Sequence, residues 1–178
     1  TQLINGLFEF AERADNHEFS FEGHPNNTTE AHLQTLYDLG FRRVSFGVQD
    51  YDPKVQKAIN RIQPFENVAR VTETARAIGY TSISHDLVFG LPHQNLDTMR
   101  HTIARTAELS PDRLAFYSYA HVPWIKGNGQ RGFNDEDLPS GQKNALCMNW
   151  AKRCLMNWVM LRSAWIISLA PMILCIKP

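Results

Sequence analysis

GFRRVSFGVQDYDPKVQKAINRIQPFENVARVTETARAIGYTSISHDLVFG, Gly40 to Gly90, is the stretch that decides the fold. Arg43 to Gln49 reads as a strand, short and β-prone. Asp52-Pro53 opens a short helix to Ile59, with Pro at the first helical position, where its missing N–H is no loss. A second helix runs from about Phe65 to Ile78 and is ended by Gly79. Thr81 to Phe89 is the next strand. Strand, helix and strand in this order make a parallel βαβ unit with a right-handed crossover.

The alternation continues on both sides. Upstream, Phe19 to Gly23 is short, apolar and β-prone. Thr28 or Thr29 then caps a helix through Leu39, with Leu33, Leu36, Tyr37 and Leu39 mostly on one side and Gly40 stopping it. Downstream, Asn95 to Leu109 is a helix with Met99, Ile103 and Ala107 inward, and Arg113 to Tyr119 is a further strand. The fold class is therefore α/β. Strands of this number with their crossovers make about half of a (β/α) barrel. A half barrel leaves two bare sheet edges, and a short open α/β sheet fits the same pattern. Leu3, Leu7 and Phe10, with Ile4, Phe8 and Ala11, stand at helical spacing, so the chain opens inside a helix and without a methionine. A cut end is the expectation there.

Composition limits the function classes. The 178 residues suffice for one domain with a core, and the formal net charge is zero. That balance gives no electrostatic reason to expect nucleic acid or an anionic membrane as partner. Thr1 to Arg13 mixes polar residues into its apolar ones and is no secretory signal, so a cytoplasmic location is expected. The seven histidines lack the close helical pairing of zinc sites. His32 and His101 read as solvated helix residues. His121, after a strand end and before Pro123-Trp124, is the one histidine to watch. Gly127 to Gly132 matches GxGxxG literally, but it does not join a strand directly to a helix and reads as a flexible loop.

Residues 1–142 and 143–178 differ in kind. All three cysteines, Cys147, Cys154 and Cys175, lie beyond Gln142, and no glycine follows Gly141. The cysteine spacing fits neither a zinc knuckle nor an iron–sulfur loop, so no metal ligand is expected. Trp158 to Ile176 is apolar enough to weigh as a membrane span, but Arg162 and Pro171 interrupt it. A frame shift in the coding sequence is the preferred reading of this tail. Shifting by one base turns Met148-Asn149-Trp150-Ala151 into Glu-Leu-Gly, and Met156-Asn157-Trp158-Val159 into the same triplet. With permitted codons the stretch from Lys143 reads KRALYELGKEMFNELGYVEIGMDHFA, an amphipathic helix, a glycine turn and a strand.

Polar residues at strand ends are the candidates for chemistry, because active sites in parallel β/α folds lie at the carboxyl ends of the strands. Glu22 ends the first strand, Gln49 and Asp50 the second, and Asp86 sits within the third, ahead of Gly90-Leu91-Pro92. Ser118, Tyr119, Ala120 and His121 end the fourth. Acid and amide groups at equivalent positions would converge on one mouth and hold a polar ligand's hydroxyls, amine and carboxylate. Helix capping and solvation explain such residues equally well. Arg61, just past the short helix, has the geometry to pair with a ligand carboxylate, while a surface arginine is the commoner case.

EFSFEGHPNNTT (Glu18 to Thr29), GFRRVSFGVQDYDPKVQKAINRIQ (Gly40 to Gln63), IGYTSISHDLVFGLPHQ (Ile78 to Gln94) and PDRLAFYSYAHVPW (Pro111 to Trp124) together resemble the bacterial oxygen-independent coproporphyrinogen III oxidases, or coproporphyrinogen dehydrogenases. These are radical S-adenosylmethionine enzymes. The resemblance covers nearly all of residues 1–142. It implies a partial (β/α) barrel of the radical SAM type, a 4Fe–4S cluster and two S-adenosylmethionine molecules. The implied reaction uses a deoxyadenosyl radical to take hydrogen from two propionates of coproporphyrinogen III, which leave carbon dioxide and become the vinyl groups of protoporphyrinogen IX in haem synthesis. Carried over position by position, Glu22 resembles the residue that holds the cluster-bound S-adenosylmethionine, and Gln49, Arg61, Asp86 and Ala120 resemble contacts of the second. The full-length family implies a cytoplasmic monomer. The CxxxCxxC cluster loop and the glycine-rich motif after it have no counterpart here, so this polypeptide is expected to be a fragment, inactive alone. Haem-chaperone relatives share the framework, but Asp50 and Tyr119 to Trp124 favour the oxidase. A non-catalytic fragment is the reading from another class.

Overall fold

The computed structural model describes residues 2–122, 133–161 and 167–168, with the main chain alone at 156–161 and 167–168. Strands β1 (Phe19–Gly23), β2 (Phe41–Gln49), β3 (Ser82–Phe89), β4 (Arg113–Ser118) and β5 (Ile167–Ser168) form one sheet in that order. Each is parallel to the next. Helices α1 (Gln2–Phe10), α2 (Glu30–Asp38), α3 (Pro53–Ala58), α4 (Phe65–Ile78), α5 (Leu96–Leu109) and α6 (Gly141–Leu161) fill the connections. A sheet that advances one strand at a time, without reversing, is a stretch of barrel wall and not a doubly wound sheet. β5 has two residues and no pattern by which the sequence could announce it.

The helix starts have local chemical causes. The Thr29 side chain accepts from the His32 N–H at 3.2 Å, and His32 Nδ1 accepts from the Thr29 N–H at 3.3 Å, closing the first turn of α2 reciprocally. His32 is thus exposed, as the sequence suggests, but employed. Asp52 caps α3 by accepting from Lys54 and Val55, with Pro53 behind it. Asn95 caps α5 in the same way. Gly79 ends α4 with φ of 110°, a left-handed conformation that a side chain would resist.

The two faces of the sheet differ sharply. On the outer face Val44, Phe46 and Ile83 pack with Leu33 of α2 and with Val71 and Ala75 of α4. Farther along, Leu87, Phe89, Leu114 and Phe116 pack with Val68, Met99 and Ile103. Thr102 and Thr106 of α5 are also fully buried there, and Ala107, expected inward, is only half-buried. Threonines take that place because Thr106 Oγ1 donates to the Thr102 carbonyl at 2.8 Å and Thr102 is needed by a buried carboxylate. On α6, Cys147, Ala151 and Leu155 recur every four residues and are buried, and Ala151 and Leu155 join the same core as α4 and α5. Residues 141–155 therefore close the core that the barrel strands begin.

His85 of β3 lies on this apolar face with no exposed surface. Its Nε2 lies 3.0 Å from Thr72 Oγ1, while Nδ1 has no partner among the described residues. Burial pushes the imidazole down to about 3, with Arg76 adding a smaller effect in the same direction. The unfolded chain binds this proton near the ordinary value of 6.5, so the neutral ring stabilises the fold above that pH and the advantage is lost as pH falls toward 3. About 2 kcal/mol should disappear between pH 7 and pH 5 from this group alone. Urea titrations at the two pH values should show that loss in the wild type and its absence in His85→Leu; equal slopes would refute it.

Candidate functional site

At the carboxyl ends of β1, β2 and β3 the candidate residues meet around Gly47. Its carbonyl accepts from Arg61 Nη2 at 2.7 Å and from Gln63 Nε2 at 3.2 Å. A Cβ added at Gly47 would stand 2.7 Å from Arg61 Nη2, 2.9 Å from Gln49 Nε2 and 3.6 Å from Glu22 Oε1. Three side chains from three segments thus crowd into the space that glycine leaves. Asp86 pairs with Gly47 across the β2–β3 ladder and accepts from Ser45 Oγ at 2.7 Å. Glu22, Gln49, Arg61 and Asp86 are therefore brought together. Ala120 lies exposed two residues past β4 at the same end of the sheet, in a segment tied to β3 by the Tyr119 N–H donating to the Phe89 carbonyl at 2.8 Å.

The charges in this group oppose their own burial. Desolvation raises Asp86 above the ordinary carboxylate range; Ser45 lowers it, Glu22 raises it and Arg61 lowers it by lesser amounts. Desolvation also pulls Arg61 down, against the attraction of Glu22 and Asp86. Arg61 keeps a buried Nε with no hydrogen-bond partner among the described residues. A buried guanidinium N–H left unpaired is a costly arrangement unless a ligand completes it.

Gln49 occupies an unusual backbone. Gly47 pairs with Asp86, and Gln49 with the very next residue, Leu87, so Val48 is a bulge on β2. Gln49 has φ of 68°, and the Asp50 N–H donates to the Val48 carbonyl at 2.9 Å across it. This is a γ-turn of the rare positive-φ form, and non-glycine residues are held there only by their surroundings.

Those surroundings centre on Asp50, where the sequence reading needs correction. Asp50 does not face the mouth. It is fully buried behind the strand ends, accepting from Thr102 Oγ1 at 2.9 Å, Gln94 Nε2 at 2.6 Å and the Asp52 N–H at 2.7 Å. Its side chain lies on the core side, as Val48 does, and away from Gln49. Burial raises the Asp50 carboxyl, and its three donors work against that rise. Gln94 carries the network into the loop after β3 by accepting from the Gly90 and Leu91 N–H groups at 2.7 and 3.3 Å. Gln56 donates to the Asp50 and Gln63 carbonyls at 2.9 and 2.8 Å, which fixes the loop that carries Arg61.

His121 is held otherwise than an open site residue would be: its Nε2 lies 3.0 Å from Asp135 Oδ1. The Gly127 to Gly132 loop and most of the apolar run after Trp158 lie outside the described residues. Among those described, no helix is long and apolar enough to cross a membrane, and no cluster of three or more potential ligands for a metal occurs. Cys147 and Cys154 are free thiols on α6. Sequence reasoning passed over Gly47, Gln63 and Gln94. For Gly47 a signal existed, since a lone glycine inside a strand marks a bulge or a close approach.

A parallel barrel wall with acid, amide and guanidinium groups gathered at its carboxyl rim is the arrangement of β/α-barrel enzymes, whose sites lie at the strand ends. The profile of the Radical SAM superfamily matches residues 2–106, and the chain belongs to that superfamily. It is 50% identical over 123 residues to the oxygen-independent coproporphyrinogen III oxidase of Helicobacter pylori, covering 69% of this chain and 27% of that protein. The Escherichia coli protein of the same name is 41% identical over 142 residues, covering 80% and 30%. The crystallised coproporphyrinogen III oxidase (HemN) from Escherichia coli, a radical SAM enzyme, superposes with a TM-score of 0.83 at 37% identity, covering 88% of this chain and 36% of that one. An archaeal Elp3 at 17% identity, with a TM-score of 0.67, shares the fold. The chain thus spans about a third or less of its curated relatives.

The network around Asp50 makes a test of the site's construction. Asp50→Ala should cost about 3 kcal/mol, because it strands three buried donors. Asp50→Asn should cost less, since its carbonyl oxygen can still accept from Thr102 and Asp52. Chemical denaturation of the three proteins checks the order; an Asp50→Ala protein as stable as wild type would refute the role.

Proposed function

We propose that this chain forms part of the barrel of an enzyme that oxidatively decarboxylates two propionates of coproporphyrinogen III to vinyl groups, giving protoporphyrinogen IX, with S-adenosylmethionine as cofactor. The observation that carries this reading is the cradle at Gly47, where Arg61, Gln49 and Glu22 close on the space beside the glycine. The names of the relatives supply the substrate and its oxidation; the decarboxylation to vinyl groups is what the sequence resemblance implies.

S-adenosylmethionine suits these residues chemically. It carries a carboxylate, an ammonium group and ribose hydroxyls. Arg61, fixed through Nη2 on the Gly47 carbonyl, retains the unpartnered Nε for a carboxylate. Asp86, oriented by Ser45, and Gln49, held out by its γ-turn, offer acceptors for an ammonium group or hydroxyls. In this reading Gln49, Arg61, Asp86 and Ala120 hold one S-adenosylmethionine, and Glu22 turns toward another. When bound, the cofactor supplies radical hydrogen abstraction from the propionate side chain. This chain's own residues bind and orient. Among the described residues, no group of three or more potential ligands for the 4Fe–4S cluster of such chemistry occurs.

Calorimetric titration of this chain with S-adenosylmethionine tests the cradle. Gly47→Ala and Arg61→Met should each weaken binding at least tenfold. Gly141→Ala, where an added Cβ meets nothing within 4 Å, should leave it unchanged. Absence of binding by the wild type would overturn the reading.

The proposal extends to the tail. Residues 143–178 would be an out-of-frame rendering of the segment that follows the barrel strands in the relatives. Sequencing the coding DNA should show a one-base slip near Gln142; an uninterrupted frame through Pro178 would exclude it.

A further inference from the structure

The inner face of the sheet holds a second group of residues that the cofactor reading leaves unused. A cavity of about 620 Å³ runs across this face, bounded by Glu22 and Asp86 on one side and by Arg113, Ala115 and Tyr117 of β4 on the other. These β4 residues alternate with Leu114 and Phe116, whose side chains are buried on the outer face. Tyr117 is an aromatic side chain left 41% exposed, and its hydroxyl makes no hydrogen bond among the described residues. Desolvation, then Asp86, then Glu22 hold the phenol protonated. Toward a ligand it is therefore a donor. The Arg113 guanidinium likewise has no hydrogen bond or ion pair among the described residues, in contrast to Arg43, which pairs with Glu18.

Arg113 and Tyr117 stand on one face of one strand, four residues apart, a rise of about 13 Å. Ala115 between them is small and pairs with Asp86. The surface is thus a shallow wall, with a cation at one end, a hydroxyl donor on an aromatic ring at the other and little bulk between. Its dimensions and donors match a flat molecule with carboxylates at opposite edges. The Gly47 cradle, by contrast, lies toward β1 and β2 and is small and crowded.

We propose that the inner face of β4 is the substrate wall: a polycarboxylate macrocycle lies across Ala115, with one carboxylate on Arg113 and another on the Tyr117 hydroxyl, whose ring packs against the macrocycle's edge. This rests on the functional reading above and adds two specificity-determining residues to it. Both face the cavity and neither belongs to the core, so replacing them should leave the fold intact.

Coproporphyrin III, the stable oxidised tetracarboxylate, serves as the probe. Its fluorescence is titrated with wild type, Tyr117→Phe and Arg113→Met, and S-adenosylmethionine affinity is measured in parallel by calorimetry. Arg113→Met should weaken porphyrin binding at least tenfold and Tyr117→Phe at least threefold, both leaving S-adenosylmethionine affinity within twofold. Porphyrin affinity unchanged in both variants overturns the wall. A parallel loss of S-adenosylmethionine affinity also overturns it, by assigning these residues to the cofactor. Wild type that binds S-adenosylmethionine but no porphyrin overturns the wall and leaves the cofactor reading standing. Wild type that binds neither overturns both.

Discussion

A single carboxylate, buried without any exposed surface, organises the functional end of this molecule. Asp50 is removed from water at a cost of several kcal/mol. That cost is offset only because Thr102, Gln94 and the Asp52 amide all donate to it. Each donor comes from a different part of the chain: helix α5, the loop after β3 and the entry to α3. The carboxylate therefore fixes where three connections end relative to two strands. Gln49 stands next to it in the chain, and Gln56 ties the Asp50 carbonyl to the loop that carries Arg61. A ligand-binding rim made of loops is ordinarily the least stable part of a barrel. Here it is tied to the core by polar bonds that have no solvent to exchange with.

The sheet divides labour between its faces. Outward, alternate residues of β3 are Ile83, His85, Leu87 and Phe89, all buried under helices. Inward, the alternates are Ser82, Ser84 and Asp86, which line a cavity. The period of two that specifies the strand also separates stability from chemistry. Substitutions on one face change packing, and those on the other change what can bind. His85 is the exception, a titratable ring on the apolar side, and it makes the core itself sensitive to acid.

Much of this was legible in the residues. The strands and helices between Phe19 and Ser118 follow from periodicity, caps and glycine stops, and their boundaries fall within a few residues of expectation. Glu22, Gln49 and Asp86 were visible as polar groups at strand ends. Arg61 was named as a carboxylate partner, but its approach to the rim was not legible, because it depends on a loop folded back by Gln56 and Gln63, and loop conformation has no period to read. Asp50 was misread as a mouth residue, although alternation counted on from the buried Val44, Phe46 and Val48 puts it on the core side and Gln49 on the other. Residues beyond Gln142 were hardest, since α6 owes its place to Ala151 and Leu155 meeting a core built by distant segments.

The bulge at Val48 carries a consequence for how such a chain can diverge. Strand β2 is one residue longer than its ladder with β3 requires, and that surplus residue decides which of Gln49 and Asp50 faces the mouth and which the core. Deleting it would give a more regular sheet, with the amide turned into the core and the carboxylate into the mouth. Length variation between descendants of this sequence should therefore collect in the helix–strand connections at the far end of the sheet. The few residues from Gly47 to Asp52 would keep their number even where their identities drift.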